Sequence, residues 1–207
     1  RPDDLKGFSG WNVGNKNFFS SDFLDPYFYT LLKSSEDNPE LRNLGKSIFY
    51  DQNLSGNGKM SCATCHLQEN AFTDLKAKSQ SNVEGKTVLR NSPSLYNAVF
   101  ARRFFYDLRA FYLEQQAEHV IYNEQEFNTS YESIIQKLKT KPEYKKAFRT
   151  AFKDGKISKE NFSKALSSYV ASLYSFESDF DRFMRNEKNV SDEVKKGFNL
   201  FMGKANC

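Results

Sequence analysis

Cys62-Ala63-Thr64-Cys65-His66 is the segment with the clearest chemistry. Two thiols share one turn of chain, and an imidazole follows directly. A c-type haem needs that set: two thiols to take up its vinyl groups, and an imidazole for the iron. The short spacing places the cysteines under adjacent vinyl groups, and His66 points at the iron from the same side. Other readings of a cysteine pair fit less well. A zinc ribbon needs a second pair, and the only other cysteine is Cys207, the last residue. A thioredoxin-type pair sits where a strand runs into a helix, and no such pattern surrounds this one. The chain has only two histidines, so one falling here carries weight. Cys62 and Cys65 are the expected attachment points and His66 the expected iron ligand.

The group across the iron decides what such a haem does. An electron carrier usually fills that place with Met or His, whereas a peroxidase leaves it open. The candidates are Met60, Met184, Met202 and His119. Met60 lies too close to Cys62 to reach the opposite face, and Met184 and Met202 are expected in the core. His119 lies in a predicted helix three residues after Gln116, so both could face one pocket. A solvated helix position explains the same histidine, and both alternatives stand at this point.

The elements that must position the motif are helical. Leu41, Leu44, Ile48 and Phe49 follow helical spacing and make one apolar face. Asp51 to Ser61 reads as a loop, because Ser55-Gly56-Asn57-Gly58 does not easily continue a helix. Residues 67–107 have weak periodicity and read as irregular structure wrapped around a cofactor. Helical pattern returns at about 108–122. Thr129 with Glu132 and Thr140 with Glu143 are candidate capping boxes for the next two helices. A longer helix is expected after Ser158, with Phe162, Ala165, Leu166, Tyr169, Val170 and Leu173 as its stripe. A last one runs from about Ser191 through Val194, Phe198 and Phe201. Residues 1–39 form a lead-in with the only tryptophan, Trp11, closed by Asp37-Asn38-Pro39. The fold class is therefore mostly α with long loops, and no repeat of solenoid type is present.

Composition sets outer limits. A chain of 207 residues can bury one full core and part of another. Its 20 Phe and 11 Tyr suit packing against a porphyrin, although an aromatic-rich helical core has the same composition. The net charge of +4 is small, and the lysines are scattered among carboxylates, so nucleic acid is a poor guess. No apolar run approaches the roughly 20 residues that span a bilayer. The chain begins at Arg1, as a processed or trimmed product does, so a missing leader says nothing against export.

Taken together, several blocks resemble the bacterial di-haem cytochrome c peroxidases and the related MauG-type enzymes. Leu44-Gly45-Lys46-Ser47-Ile48-Phe49-Tyr50-Asp51 and Leu54-Ser55 precede the haem motif, and Ala71-Phe72-Thr73-Asp74 follows it. Arg90-Asn91-Ser92-Pro93-Ser94-Leu95, Phe105-Tyr106-Asp107-Leu108-Arg109-Ala110 and Leu113-Glu114-Gln115-Gln116-Ala117 come next. Phe180-Asp181-Arg182-Phe183 and Gly197-Phe198-Asn199-Leu200-Phe201 stand near the end. The resemblance covers about residues 40–207. It implies a cytochrome c-like haem domain over 40–185, after an N-terminal extension over 1–39. Residues 186–207 would then open a second cytochrome c-like domain, with Cys207 as the first cysteine of a second haem motif.

The resemblance also implies roles. Gln116 and Glu126 stand where the family has the distal pair that handles peroxide. Asn91 matches the asparagine that helps hold a calcium ion between the two haem domains. Tyr106 stands where the family often has a charge-relaying tryptophan, and Leu108 where it has glycine. Redox-gated members carry a removable histidine before the Arg-Asn-Ser-Pro block, and Ser79 to Leu89 has none, which favours an open, MauG-like site. The implied activity is reduction of hydrogen peroxide in the periplasm by a chain that is exported and lipid-anchored in some forms. Electrons would come through the second haem from a donor protein or small redox carrier. The alternatives are a six-coordinate electron-transfer domain and MauG-like oxidation of a protein substrate. A homodimer is one expected assembly.

Overall fold

A computed structural model describes residues 38–101 and 103–205. The lead-in with Trp11, and Cys207, lie outside the described residues. The described chain is mostly helical, and its only pairings of extended backbone are isolated bridges such as Gln80 with Thr87. It falls into two compact units that divide after Tyr174. No helix among the described residues is long and apolar enough to cross a membrane.

The first unit begins with α1, Pro39–Tyr50. Pro39 takes the first helical position, where a missing N–H costs nothing, and Asn38 accepts a hydrogen bond from the Leu41 amide at 3.0 Å. Three helices follow the loops: α3 (Leu113–Tyr122), α4 (Tyr131–Thr140) and α5 (Pro142–Ala151). The short helix α2, Cys62–Cys65, carries the haem motif. The last of this unit is α6, Lys159–Ala171, started by Ser158, whose hydroxyl accepts from the Asn161 amide. Leu44, Ile48 and Phe49 of α1 bury against Phe162, Ala165 and Tyr169 of α6, with Ile134, Leu138 and Phe148 completing one core.

Gly45 explains how closely α1 and α6 approach. A Cβ there would stand 2.0 Å from the Ala165 carbonyl oxygen and 2.8 Å from the Tyr169 Cβ. Alanine would gain about 1 kcal/mol of helix propensity, but a contact that short forces the helices apart. Gly45→Ala is therefore expected to destabilise the unit by about 1–3 kcal/mol, read as a lower urea midpoint at unchanged slope. A stabilised variant would contradict this packing.

Three sequence expectations need correction. The helix expected at 108–122 begins only at Leu113, because Phe105 and Leu108 take left-handed backbone (φ 66° and 59°) and fold 104–110 into a bridged loop. The cap of α4 is Ser130, one residue beyond Thr129, and its side chain accepts from the Ser133 amide. Helix α5 starts on Lys141 and Pro142, without a Thr140 box.

The second unit, described from Ser175 to Ala205, holds α7 (Asp179–Met184) and α8 (Asp192–Asn199), which runs into a π-turn over Leu200–Lys204. A box of Ser178 and Asp181 starts α7, a helix that periodicity alone did not announce. Phe183 and Met184 are buried, with Phe180 and Phe198 packed beside them.

Candidate haem site

Helix α2 is one turn long, so it cannot hold itself together. Its support is local. The Ser61 amide donates to the Thr64 hydroxyl at 2.9 Å, and the His66 amide donates to the Cys62 carbonyl at 3.0 Å. The two thiols are free and stand on this turn with His66 directly after them. Phe49 of α1 ties the turn to the core, with its ring centroid 6.5 Å from that of His66 and 6.1 Å from that of Phe72.

The imidazole is oriented by backbone. His66 Nδ1 lies 2.8 Å from the Phe72 carbonyl oxygen. A carbonyl only accepts, so Nδ1 carries the proton and Nε2 presents its lone pair. Burial pushes this imidazole below its ordinary pKa, against the Phe72 carbonyl and the charge of Asp74, and so favours the neutral ligand form. A backbone acceptor on the non-ligating nitrogen is the usual support for a metal-bound histidine.

That acceptor is held at a cost. Ala71, Phe72 and Leu75 all have left-handed backbone, with φ of 55°, 61° and 56°. Each such non-glycine residue costs on the order of 1–2 kcal/mol. The surroundings over-determine the strain. The Phe72 amide donates to the Leu67 carbonyl at 2.8 Å, Ser94 donates to the Ala71 carbonyl, and Thr73 donates to the Ser92 carbonyl. Strain of this kind gathers where a functional geometry is being enforced.

The thiols are electrostatically guarded. Burial pushes the Cys62 thiol up to about 12, with Cys65 and Glu126 acting in the same direction. Burial also raises Cys65, and the carboxylates of Asp74 and Glu126 add to it. Glu126 is thus near enough to act on both attachment points.

Glu126 sits on a tight turn after α3. Its amide donates to the Asn123 carbonyl at 3.0 Å, and Asn123 Nδ2 donates to its Oε2 at 2.7 Å. Two other segments clamp the turn. Ser81 Oγ and the Asn82 amide both donate to the Gln125 carbonyl. The Gly56 amide donates to the Phe127 carbonyl at 2.8 Å, and a Cβ at Gly56 would collide with the Asn128 carbonyl oxygen. Glu126 is half-buried, and that burial raises its carboxyl above the ordinary value, outweighing Asn123 and the Arg109 charge.

The other expected residues fall as follows. Gln116 is half-buried on α3, and its side chain hydrogen-bonds to none of the described residues. His119, further along the same helix, is exposed, with the Phe105 ring edge-on at 5.3 Å. Met60 and Met184 are buried in their cores. Tyr106 is 91% exposed on the 104–110 loop, with the Arg90 guanidinium 5.6 Å from its ring centroid. Asp107 beside it pairs with both Arg90 and Arg109. Asn91 is exposed, and among the described residues no group of three His, Cys, Asp or Glu side chains could hold a metal ion. Asn91 alone does not make a calcium site. Sequence reasoning did not single out Asn123, the Phe72 carbonyl or Asp74. Only the Asn-x-x-Glu spacing hinted at the first.

Leu108 adopts a φ of 59°, where glycine is the undemanding choice. The left-handed penalty of about 1–2 kcal/mol exceeds the roughly 0.5–1 kcal/mol that glycine loses in chain entropy. Leu108→Gly is therefore expected to raise stability slightly, as a higher thermal midpoint. A clear drop would mean that the half-exposed leucine packs more than its surroundings indicate.

The residues present fit a c-type haem. They supply two free thiols and an imidazole oriented through Nδ1 by the Phe72 carbonyl.

Comparison with known proteins agrees with this geometry. A family profile described as di-haem cytochrome c peroxidase matches residues 39–189. A methylamine utilization protein MauG from Methylophilus methylotrophus is 35% identical over 81% of this chain and 51% of its own. A cytochrome c551 peroxidase from Pseudomonas aeruginosa is 36% identical over 86% of this chain and 52% of its own. The crystal structure of a MauG-like protein associated with microbial copper homeostasis superposes with a TM-score of 0.73 at 30% identity, over 82% of this chain and 51% of that one. The chain thus spans about half the length of the relatives it matches. Profile, relatives and superposition converge on the same segment that carries Cys62, Cys65 and His66, and the chain belongs to the di-haem cytochrome c peroxidase family.

Proposed function

We propose that this chain is the peroxidatic part of a periplasmic di-haem enzyme that reduces hydrogen peroxide. The observation that carries the reading is Glu126: a half-buried carboxyl, raised by its burial, fixed by Asn123 and near both haem-attachment cysteines. Haem held by Cys62, Cys65 and His66 would supply a redox-active iron. Two electrons and two protons turn one peroxide into two waters. Glu126 takes the proton from one peroxide oxygen and returns it to the other, and a raised pKa brings the group closer to neutral pH for both tasks. Gln116 orients peroxide from α3 with its uncommitted amide. Tyr106 would be the charge-relaying residue if a second haem is held, and Cys207 would begin that haem's attachment motif. A cation held over the ring disfavours a ring radical that keeps its phenolic proton, so this transfer is coupled to proton release. Residues 40–185 are the peroxidatic domain in this reading. Calcium at Asn91 would take its remaining ligands from outside the described residues. The donor is a redox protein or small carrier, and export and dimerisation belong to the same proposal.

The buried places of Met60 and Met184 support an open face rather than an idle six-coordinate carrier. The test is peroxide consumption by the full-length, haem-loaded protein with a reduced c-type cytochrome as donor. Turnover that depends on both reactants is expected. A protein carrying haem that consumes no peroxide would refute the reading. A second reading, oxidation of a protein substrate, is favoured by the likeness to a MauG protein.

A further inference from the structure

Asp74 is a buried carboxylate that the peroxide chemistry does not use. Its residue is only 8% exposed. One oxygen accepts the Lys76 amide at 3.1 Å, and the other, Oδ2, is buried with no hydrogen-bond partner among the described residues. Leaving a carboxylate oxygen so is expensive, and native structures rarely do it without a reason. The chain also holds Asp74 there by force. It lies inside the strained stretch where Ala71, Phe72 and Leu75 have left-handed backbone, two residues after the carbonyl that orients His66. Thr73, between them, is pinned to the Ser92 carbonyl at 2.6 Å. A backbone that needed only to place the Phe72 carbonyl would not have to bury an acid next to it.

We propose that Asp74 is a positioning residue of the electrostatic kind: its charge, fixed beside the Phe72 carbonyl that orients His66, would hold down the reduction potential of an iron bound by that imidazole. A nearby negative charge favours the more positive, oxidised metal. Asp74 stands two residues after Phe72, whose carbonyl oxygen lies 2.8 Å from His66 Nδ1, and its buried carboxyl is held in this stretch by the Lys76 amide at 3.1 Å. An iron biased toward its oxidised state is what a site that gives electrons to peroxide requires.

The inference rests on haem at His66 and is independent of peroxide turnover. Its test is a spectroelectrochemical titration of the full-length, haem-loaded protein, resolving the His66 haem by its electron paramagnetic resonance signal. In Asp74→Asn, the oxidised-to-reduced ratio at a fixed applied potential should fall on the order of tenfold, an upward shift of about 59 mV for one electron. Asp74→Ser, smaller and also uncharged, should move the same way if the asparagine variant folds poorly. Asp74→Glu, which restores the charge, should return most of the shift. An unchanged or lowered potential in a folded, uncharged variant would overturn the proposal. An equal shift in Asp74→Glu would also overturn it, since packing and not charge would then be responsible. A protein that ignores peroxide yet shows the shift would remove the peroxidase reading and leave this inference standing.

Discussion

Replacing Glu126 with glutamine is expected to slow the reaction of the full-length, haem-loaded protein with hydrogen peroxide by on the order of 10²–10⁴-fold, the usual worth of a general acid–base group. The change is nearly isosteric, and Asn123 can still hydrogen-bond to the amide oxygen of glutamine as it does to Oε2. What disappears is the capacity to take a proton and give it back. The pH dependence should change with it. In the wild type, proton abstraction needs the ionised carboxylate, so the rate rises as pH passes upward through the raised pKa of Glu126. The glutamine variant should lose that limb. Stability should move the other way. A carboxyl whose folded pKa is raised contributes stability below its unfolded value and loses it as pH climbs through the folded one. Above its raised pKa the ionised Glu126 is therefore a burden on the fold, and there Glu126→Gln should be as stable as the wild type or more so. Gln116→Ala should slow the reaction less, because it removes an orienting contact and not the proton carrier. Stopped-flow mixing across pH checks all of this, and a variant reacting at the wild-type rate would show that Glu126 is not the distal base.

The double variant Cys62→Ser, Cys65→Ser is expected to carry no covalent haem at all. Serine cannot form the thioethers, and His66 alone leaves the group extractable. Acid–acetone treatment followed by a pyridine haemochrome assay reads this directly: haem stays with the wild-type chain and leaves the variant. The same thiols explain why attachment needs assistance. The thiolate is the reactive form, and burial pushes Cys62 up to about 12 and raises Cys65 as well. Expressed without a haem-attachment system, the wild-type chain should keep both thiols free. Haem retained by the serine variant after extraction would remove the c-type assignment.

The motif was legible in the sequence because its chemistry is local: five consecutive residues supply the thiols and the imidazole. The helical stripes of α1, α4 and α6 were legible for the same reason, since burial follows a 3.6-residue period. Other features depend on residues far apart in the chain. Gly45 signals a close crossing only once Ala165 is known to lie opposite. The late start of α3 was misread because Phe105 and Leu108 adopt a backbone that their residue types do not favour. The cap of α4 was misplaced by one because Thr129 and Ser130 offer the same hydroxyl. Glu126 was visible only through family resemblance. Its neighbours in the chain are acidic and polar, and what distinguishes it is the turn fixed by Asn123, Ser81 and Gly56. Asp74 stood in the sequence only as the last residue of the Ala71-Phe72-Thr73-Asp74 block, with no role attached, because an unpaired buried oxygen is a property of the folded chain.

The measurement that bears most directly on the central claim is the resting ferric spectrum of the full-length, haem-loaded protein, taken before and after one equivalent of hydrogen peroxide. The account predicts that the haem on Cys62 and Cys65 is held by His66 on one side only, so its iron is high-spin, exchanges bound water, and changes its spectrum within the mixing time of peroxide. A His66 haem that is wholly low-spin and indifferent to peroxide would contradict the account, and a conversion to high-spin in His119→Ala would then identify His119 as the residue closing the site.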